Sequence, residues 1–381
     1  MNEMMWTNSG DSHFLEPPDL YREALPASMA DRLPRSERIS ESEEVVHIDG
    51  RQIRRQLPAP KPETAAKLKE FREAMSSASQ AYGGAGGGTV RITHLDQQGV
   101  WGEVVFPSLG LWYNEIESTD LITAAARVLN DHVRDDLISR SPRFVPTATL
   151  PLQSIEESVK EAQRCAGDGF HAIFLPTGQP PGMPYWNDDA WEPLWAACDE
   201  AGLVLAFHIG TDSGAGARAY KGAGGALLNY VHTSFGGQAA VVALIGSGVL
   251  ERHPDLKVLV SEGGATWVPF VGDRMNEVTR QQPMWDEGRL SMLPKEYLMR
   301  QVYASFQHDV SAVPTVTAMG YSNVLFGTDY PHLEGTYPHT QSVLHELFDG
   351  ADAEVSDRIR IGAFLDLFPH VGRPPEPASP A

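Results

Sequence analysis

The stretch NDDAWEPLWAACDEAGLVLAFHIG at 187–210 decides the fold. Asn187 precedes a helical pattern in which Trp191, Leu194, Trp195 and Cys198 share one face, and Gly202 stops it. The run LVLAFH comes directly after. It is apolar throughout rather than alternating, as in a parallel strand covered on both sides. It ends on an imidazole, His208. A helix that feeds a buried strand ending in a polar side chain is the unit from which the rest of the chain is read.

The same step recurs in both directions. Apolar runs at 100–106, 143–149, 170–176, 257–262, 302–306 and 323–328 predict six further strands. A first strand is inferred before Asp11 chiefly from the polar Asp11-Ser12-His13 that would end it, because MMWTNSG has poor strand propensity. Ser154 and Glu157 have capping-box spacing ahead of IEESVKEAQRCA, and Gly167 ends that helix. Further helices are predicted near 119–137, 238–249, 310–320, 340–348 and 355–366. Eight β-then-α steps fit an α/β chain of the (β/α)8 TIM-barrel class better than an open doubly wound sheet. The expected organisation is a single barrel domain over 1–370 with a long insertion after strand 1. That insertion, 22–90, is rich in charge, Pro and Ser and finishes in GGAGGG. It is too long for a simple βα connection and is expected to form a helical arm or cap. The Pro-rich segment 371–381 is expected to be a disordered tail.

Composition narrows the function. The chain has 381 residues, 42% of them hydrophobic, enough for a substantial core. Lys and Arg total 30 against 50 Asp and Glu, a net charge of −20. Such a surface repels phosphate backbones and anionic lipids, which argues against nucleic-acid and membrane partners and leaves a small-molecule substrate. No apolar run approaches the ~20 residues of a membrane span. MNEMMWTNSG lacks the basic and apolar regions of an export signal, so a cytoplasmic location is expected. Cys165 and Cys198 make neither a disulfide framework nor a zinc-finger pattern.

In a (β/α)8 barrel the active site lies at the C-terminal ends of the strands. The polar residues there are Asp11 and His13, His208, Glu262, His308 and Asp329. Asp11 and His13, two apart on extended chain, point to the same side and can grip one ion together. Carboxylates with imidazoles suit a divalent Zn, Mn or Fe ion, and with Glu262 counted the donors suffice for one or two ions. Such an ion lowers the pKa of bound water to ~7. The Gly-rich segment GAGARAYKGAGG at 214–225 lacks the P-loop pattern and is read as a lid whose Arg218 and Lys221 meet an anionic substrate group. Trp112 and the segment GQPPGMPYW at 178–186 offer apolar surface to the substrate. His232 and His332 are read as lying outside the ligand set.

Five motifs in order carry a family resemblance: DSHFLEPPDLY at 11–21, RITHLDQQGVWGEVVFPS at 91–108, AFHIG at 206–210, HPDLKVLVSEGGATWVP at 253–269 and FGTDYPHLEG at 326–335. The sequence resembles the amidohydrolase superfamily, in the branch related to aminocarboxymuconate-semialdehyde decarboxylase known as amidohydrolase family 2. The resemblance implies a divalent metal held by Asp11, His13, His208 and Asp329, and subunit contact in a homo-oligomer as one use for the arm. Two positions depart from the family pattern. Asp11 stands where many members have His or Glu, and Glu262 stands where many decarboxylase relatives have a catalytic His. The role of Glu262 stays open between metal ligand, acid–base group and orienting carboxylate. The expected activity is that of a metal-dependent hydrolase, or a decarboxylase-type carbon–carbon lyase. It acts through a metal-activated water on a small organic acid, ester, lactone or amide, with Asp329, Glu262 and His308 as catalytic groups. Hydrolysis is preferred because the strand-6 imidazole is missing. The alternative is a non-haem diiron monooxygenase on the same barrel, for which Glu262 and His308 supply a carboxylate-rich site.

Overall fold

Eleven strands are present among the described residues. In chain order they are β1 (Thr7–Phe14), β2 (Arg35–Ser40), β3 (Glu43–Ile48), β4 (Arg51–Gln56), β5 (Val100–Pro107), β6 (Phe144–Ala148), β7 (Ala172–Pro176), β8 (Val204–His208), β9 (Val258–Ser261), β10 (Val302–Phe306) and β11 (Val324–Phe326). This computed structural model describes residues 4–17, 19–40, 43–56, 69, 87–212, 220, 222–282, 284, 288–332 and 334–375. Eight strands form one parallel sheet in the order β1-β5-β6-β7-β8-β9-β10-β11. The sheet closes where Ser12 bridges Tyr330 in parallel. Across that seam the Asp329 N–H donates to the Asp11 carbonyl at 2.7 Å and the His13 N–H to the Tyr330 carbonyl at 2.6 Å. The fold is a (β/α)8 TIM barrel.

The packing shows why its strands are apolar on both sides. In β8, Leu205 and Phe207 join the core between sheet and helices, while Val204 and Ala206 join the core inside the barrel. Period two therefore aims His208 into the lumen at the strand's C-terminal end. The helices end as their local signals require. The Ser154 side chain accepts a hydrogen bond from the Glu157 N–H, and Gly202 takes a left-handed conformation with φ 66°.

The N-terminal end of the barrel is plugged. Phe364, Leu367 and Phe368 belong to the lumen core with Trp101, Val204 and Tyr303. The Phe364 ring meets Trp101, the second residue of β5, edge-on at 5.3 Å. At the same end His171 stacks on His370 at 3.6 Å.

Three expectations change. The described part of the insertion contains an antiparallel meander, β2-β3-β4, that the sequence did not announce, and residues 57–68 and 70–86 of the segment expected to form a helical arm or cap lie outside the described residues. Val45 and Val46 of β3 are buried, whereas β2 is exposed along its length. The helix expected from 238 runs Gly225–Gly246. Its first half was illegible because Leu227, Leu228, Tyr230, Val231 and Phe235 are exposed and set up no buried stripe. Trp186, read as substrate surface, is fully buried against Trp191, Trp195 and Phe207. Arg218, Lys221, the centre of the predicted lid and the last residues of the tail, 376–381, lie outside the described residues. No helix among the described residues is long and apolar enough to cross a membrane.

Candidate metal centre

The C-terminal mouth of the barrel gathers Asp11 and His13 from β1, His208 from the end of β8, Glu262 after β9, and Asp329 after β11. A register shift in β1 between Ser9 and Ser12 re-aims the strand just where Asp11 stands. Gly327 leaves room for it, since a Cβ there would lie 3.0 Å from the Asp11 Cβ. Asp329 keeps the lumen phase set by Leu325 of β11. Glu262 breaks that phase. It follows Ser261 at the end of β9, where alternation points it away from the lumen. Its backbone is left-handed, φ 62°, and its N–H is held by Ser305 Oγ at 3.0 Å. Asp329 is left-handed too, at 49°. Such conformations are costly for residues other than glycine and collect at functional sites.

The side chains close on one another. His208 Nε2 lies 3.0 Å from His13 Nε2, 3.4 Å from Asp11 Oδ1 and 3.6 Å from Glu262 Oε2. His13 Nε2 lies 3.4 Å from Asp329 Oδ1 and 3.8 Å from Asp11 Oδ1. Asp11, His13 and Asp329 are completely buried. The Phe106 ring makes an apolar floor, edge-on to His208 at 4.9 Å.

The charges are out of balance. Burial, reinforced by Asp11 and Glu334, holds the Asp329 carboxyl well above the usual range. Burial also pushes Glu262 up to about 8, with His208 opposing and Asp11 and Asp329 adding to the rise. Burial alone would lower His208, but Asp11, Glu262 and the Ile209 carbonyl outweigh it and lift the ring to about 9. His13 is driven well below its ordinary value by burial and by the neighbouring His332 and His208. Both carboxylate oxygens of Asp11 and both of Asp329 are buried without a hydrogen bond. Orphaned buried carboxylates ringed by imidazole nitrogens are the donor set a divalent cation satisfies, so the residues fit the expected metal. Asp11, His13 and His208 each offer an atom within 4.8 Å of the others'.

Two participants were missed in the sequence. The His332 N–H donates to the Asp329 carbonyl at 2.8 Å, and this turn folds the His332 ring back over the site. There its Nδ1 is 2.8 Å from Asp329 Oδ1 and its ring stacks on His13 at 4.0 Å. Glu334, further along that loop, forms a further candidate set with Glu262 and Asp329. The DYPHLE spacing was the available signal. His308, expected to be catalytic, is exposed and lies outside these sets, with its Nε2 3.4 Å from the Glu334 carbonyl oxygen. Trp112 is half-buried in the 3-10 turn Leu109–Glu115 that succeeds β5 at the mouth.

Other motif residues brace the site. Arg91 is buried, donates to the His13 carbonyl at 2.6 Å and pairs with Glu103, which also accepts from Ser12 Oγ at 2.7 Å. Glu16 accepts the Leu109 and Gly110 N–H groups at 2.9 and 2.8 Å, tying the loop after β1 to the turn after β5. The helix Gly225–Gly246 crosses the mouth. A Cβ at Gly237 would lie 2.6 Å from Val260, so this face of the helix rests on β9. Tyr230, seven residues earlier on the same face, overhangs the site. Burial raises its phenol, and the carboxylates of Glu262, Glu334 and Asp329 raise it further.

A parallel eight-stranded barrel with carboxylates and imidazoles converging at its C-terminal mouth defines a class of metal-dependent barrel enzymes. Residues 103–365 match the Amidohydrolase family Amidohydro_2, and the chain belongs to that family. It is 27% identical over 256 residues to a 2-amino-3-carboxymuconate-6-semialdehyde decarboxylase of Dictyostelium discoideum, a match covering 64% of this chain and 66% of that protein. The solved structure of an amidohydrolase from Mycobacterium avium subsp. paratuberculosis superposes with a TM-score of 0.76 at 20% identity, over 97% of this chain and 100% of that one. A dihydroxybenzoic acid decarboxylase from Polaromonas, solved with manganese and 2-nitroresorcinol, superposes with a TM-score of 0.63 at 16% identity, over 96% of this chain and 97% of that one.

Proposed function

We propose that the chain is a metal-dependent enzyme that acts on a small organic acid, by decarboxylation or by hydrolysis of a bond beside a carbonyl group. One observation carries this reading: the buried oxygens of Asp11 and Asp329 lack hydrogen bonds and face the nitrogens of His13, His208 and His332. Decarboxylation is the reaction named for the Dictyostelium relative, and Glu262 in place of an imidazole favours hydrolysis. Asp11, His13, His208 and Asp329 would hold the metal. When bound, it supplies positive charge to the substrate's carboxylate or carbonyl oxygen and makes a proton easier to remove from water. Asp329, fully buried beside His13 and His332, takes or returns the proton. Phe106 closes the floor against water. Leu227 and Tyr230 on the overhanging helix offer an apolar wall and a hydroxyl to the body of the acid.

A second reading, an O2-using non-haem iron enzyme, is favoured by the number of carboxylates at the mouth: Asp11, Glu262, Asp329 and Glu334. The test is one panel. Chain stripped with a chelator is assayed on small aromatic and unsaturated carboxylic acids and on related esters, lactones and amides. CO2 release, hydrolysis products and O2 uptake are read with and without Mn(II), Zn(II) or Fe(II). Turnover that appears only with metal restored supports the proposal, and O2 uptake confined to the iron form moves it to the second reading. Full turnover by the stripped chain sinks both.

A further inference from the structure

We propose that a small cavity beside the metal centre is a specificity subsite for one neutral hydrogen-bond donor, a hydroxyl or amino substituent on the body of the acid. Asn114, Thr149 and Gln153 are the residues that select it. The inference rests on the reading of the chain as an enzyme of small organic acids and adds a substituent that the acid carries. The cavity measures about 10 Å³, and its walls include those three side chains with Phe174 and Pro176. It stands at the C-terminal end of the barrel. Asn114 lies in the 3-10 turn after β5, Thr149 is one residue past β6, and Pro176 ends β7. Thr149 and Pro176 keep the lumen phase set by Val145 and Phe174. Pro176 is the register partner of His208. The Phe174 ring meets Phe106 edge-on at 6.3 Å, and Phe106 in turn meets His208 at 4.9 Å. The cavity is therefore one or two strand spacings from His208, roughly 5–10 Å. A substituent on the far side of a ring from a carboxylate at the metal centre reaches it.

The chemistry of the walls says what fits. Asn114 Oδ1, Thr149 Oγ1 and Gln153 Oε1 are buried without a hydrogen bond among the described residues. Asn114 is 8% exposed and Thr149 2%. Both amide nitrogens are engaged elsewhere. Asn114 Nδ2 donates to the Thr211 carbonyl at 3.4 Å, and Gln153 Nε2 donates to the carbonyls of Ile116 at 2.5 Å and Tyr113 at 3.4 Å. Turning either amide over would set oxygen against oxygen, so acceptors are what remains. The Thr149 backbone is pinned by Asn130, whose Oδ1 accepts from its N–H and whose Nδ2 donates to its carbonyl, both at 2.9 Å. Only the hydroxyl is left to serve the cavity. Two fixed acceptors and a hydroxyl, with no charged side chain in the walls, attract an O–H or N–H and repel a second carboxylate. A buried acceptor left unpaired is costly, so an acid with the matching donor is selected over one without it. A cavity of about 10 Å³ holds roughly one water-sized group. A hydroxyl or amino group enters, and a methoxy group does not.

The test is calorimetric titration of the Mn(II)-loaded full chain with benzoate, with 3- and 4-hydroxybenzoate, with 3- and 4-aminobenzoate and with the two matching methoxybenzoates. At least one hydroxy or amino acid is expected to bind ~10-fold or more tighter than benzoate, and its methoxy counterpart no tighter than benzoate. Asn114→Leu and Thr149→Val each remove one unpaired oxygen without adding charge. Each is expected to cut the advantage over benzoate to a few-fold, with Mn(II) content as in the parent. Thr149→Val decides alone if Asn114→Leu does not fold, because it removes only a hydroxyl that makes no hydrogen bond. Equal affinity for benzoate and all its hydroxy and amino derivatives leaves the cavity to a resident water and overturns the subsite. An advantage that survives in both variants overturns it too. A metal-loaded chain that binds none of these acids overturns the small-acid reading together with this one, and a chain that takes up no Mn(II) overturns the metal-dependent reading as well.

Discussion

Each end of the barrel carries a pair of stacked imidazoles, and the two pairs differ in almost everything else. At the N-terminal end His171 and His370 stack at 3.6 Å beside Phe368, where Phe364, Leu367 and Phe368 stop the lumen. At the C-terminal end His13 and His332 stack at 4.0 Å, with Asp11, Asp329 and Glu262 pressed around them. Burial, then the proximity of His171, lowers His370 to about 4, so the lower pair is neutral and behaves as packing. The upper pair sits among carboxylates whose oxygens have no hydrogen bonds. Ring stacking alone therefore says nothing about function. What surrounds the rings decides, and the barrel assigns stability to one end and chemistry to the other.

The largest effect that sharpens this division is expected from Asp329→Asn. It removes a metal ligand and a proton acceptor, so turnover should fall by ~10²–10⁴-fold, with bound metal reduced. The stripped variant should nonetheless melt at a higher temperature than the stripped parent, because one buried, unpaired carboxylate has gone. A lower melting temperature would mean that the upper end also carries stability and would break the comparison. Phe364→Ala is the converse. Emptying a fully buried phenylalanine site should cost about 3–5 kcal/mol in denaturant unfolding, while metal per folded chain stays unchanged. Loss of metal there would couple the two ends.

Two smaller effects remain. Tyr230→Phe removes one hydroxyl from the overhanging helix, which should raise KM several-fold for a substrate whose polar group meets the phenol, with metal content intact. An unchanged KM would remove this helix from the substrate wall. The smallest effect is one of pH. His370 titrates lower in the folded chain than in the unfolded one, so the unfolded chain binds the extra proton first as the solution is acidified. Stability from this group is full above about 6.5 and is lost as pH falls through the window down to about 4. His370→Gln should flatten that part of the stability–pH curve, and an unaltered slope would show that the lower pair does not titrate as a stacked neutral pair.

Much of this was legible in the chain alone. LVLAFH, VLVSE and NVLFGT read as buried parallel strands because both faces of each strand meet apolar neighbours. The polar residues at or just after their C-terminal ends are site candidates because the active site of this fold lies at that face of the barrel. Asp11, His13, His208 and Asp329 were placed that way, and the structure brings them together. Three features came only from the tertiary structure. Strand phase would aim Glu262 out of the lumen, and a left-handed backbone stabilised by a contact from β10 turns it in. His332 reaches Asp329 only because the chain folds back on itself after β11, a turn without hydrophobic periodicity to announce it. The meander β2-β3-β4 carries polar residues on its exposed strand, so its pairing leaves little pattern in the sequence. Periodicity records which residues are buried. It does not record how a few strained or folded-back residues outside the repeating elements aim their side chains, and in this barrel those residues complete the site.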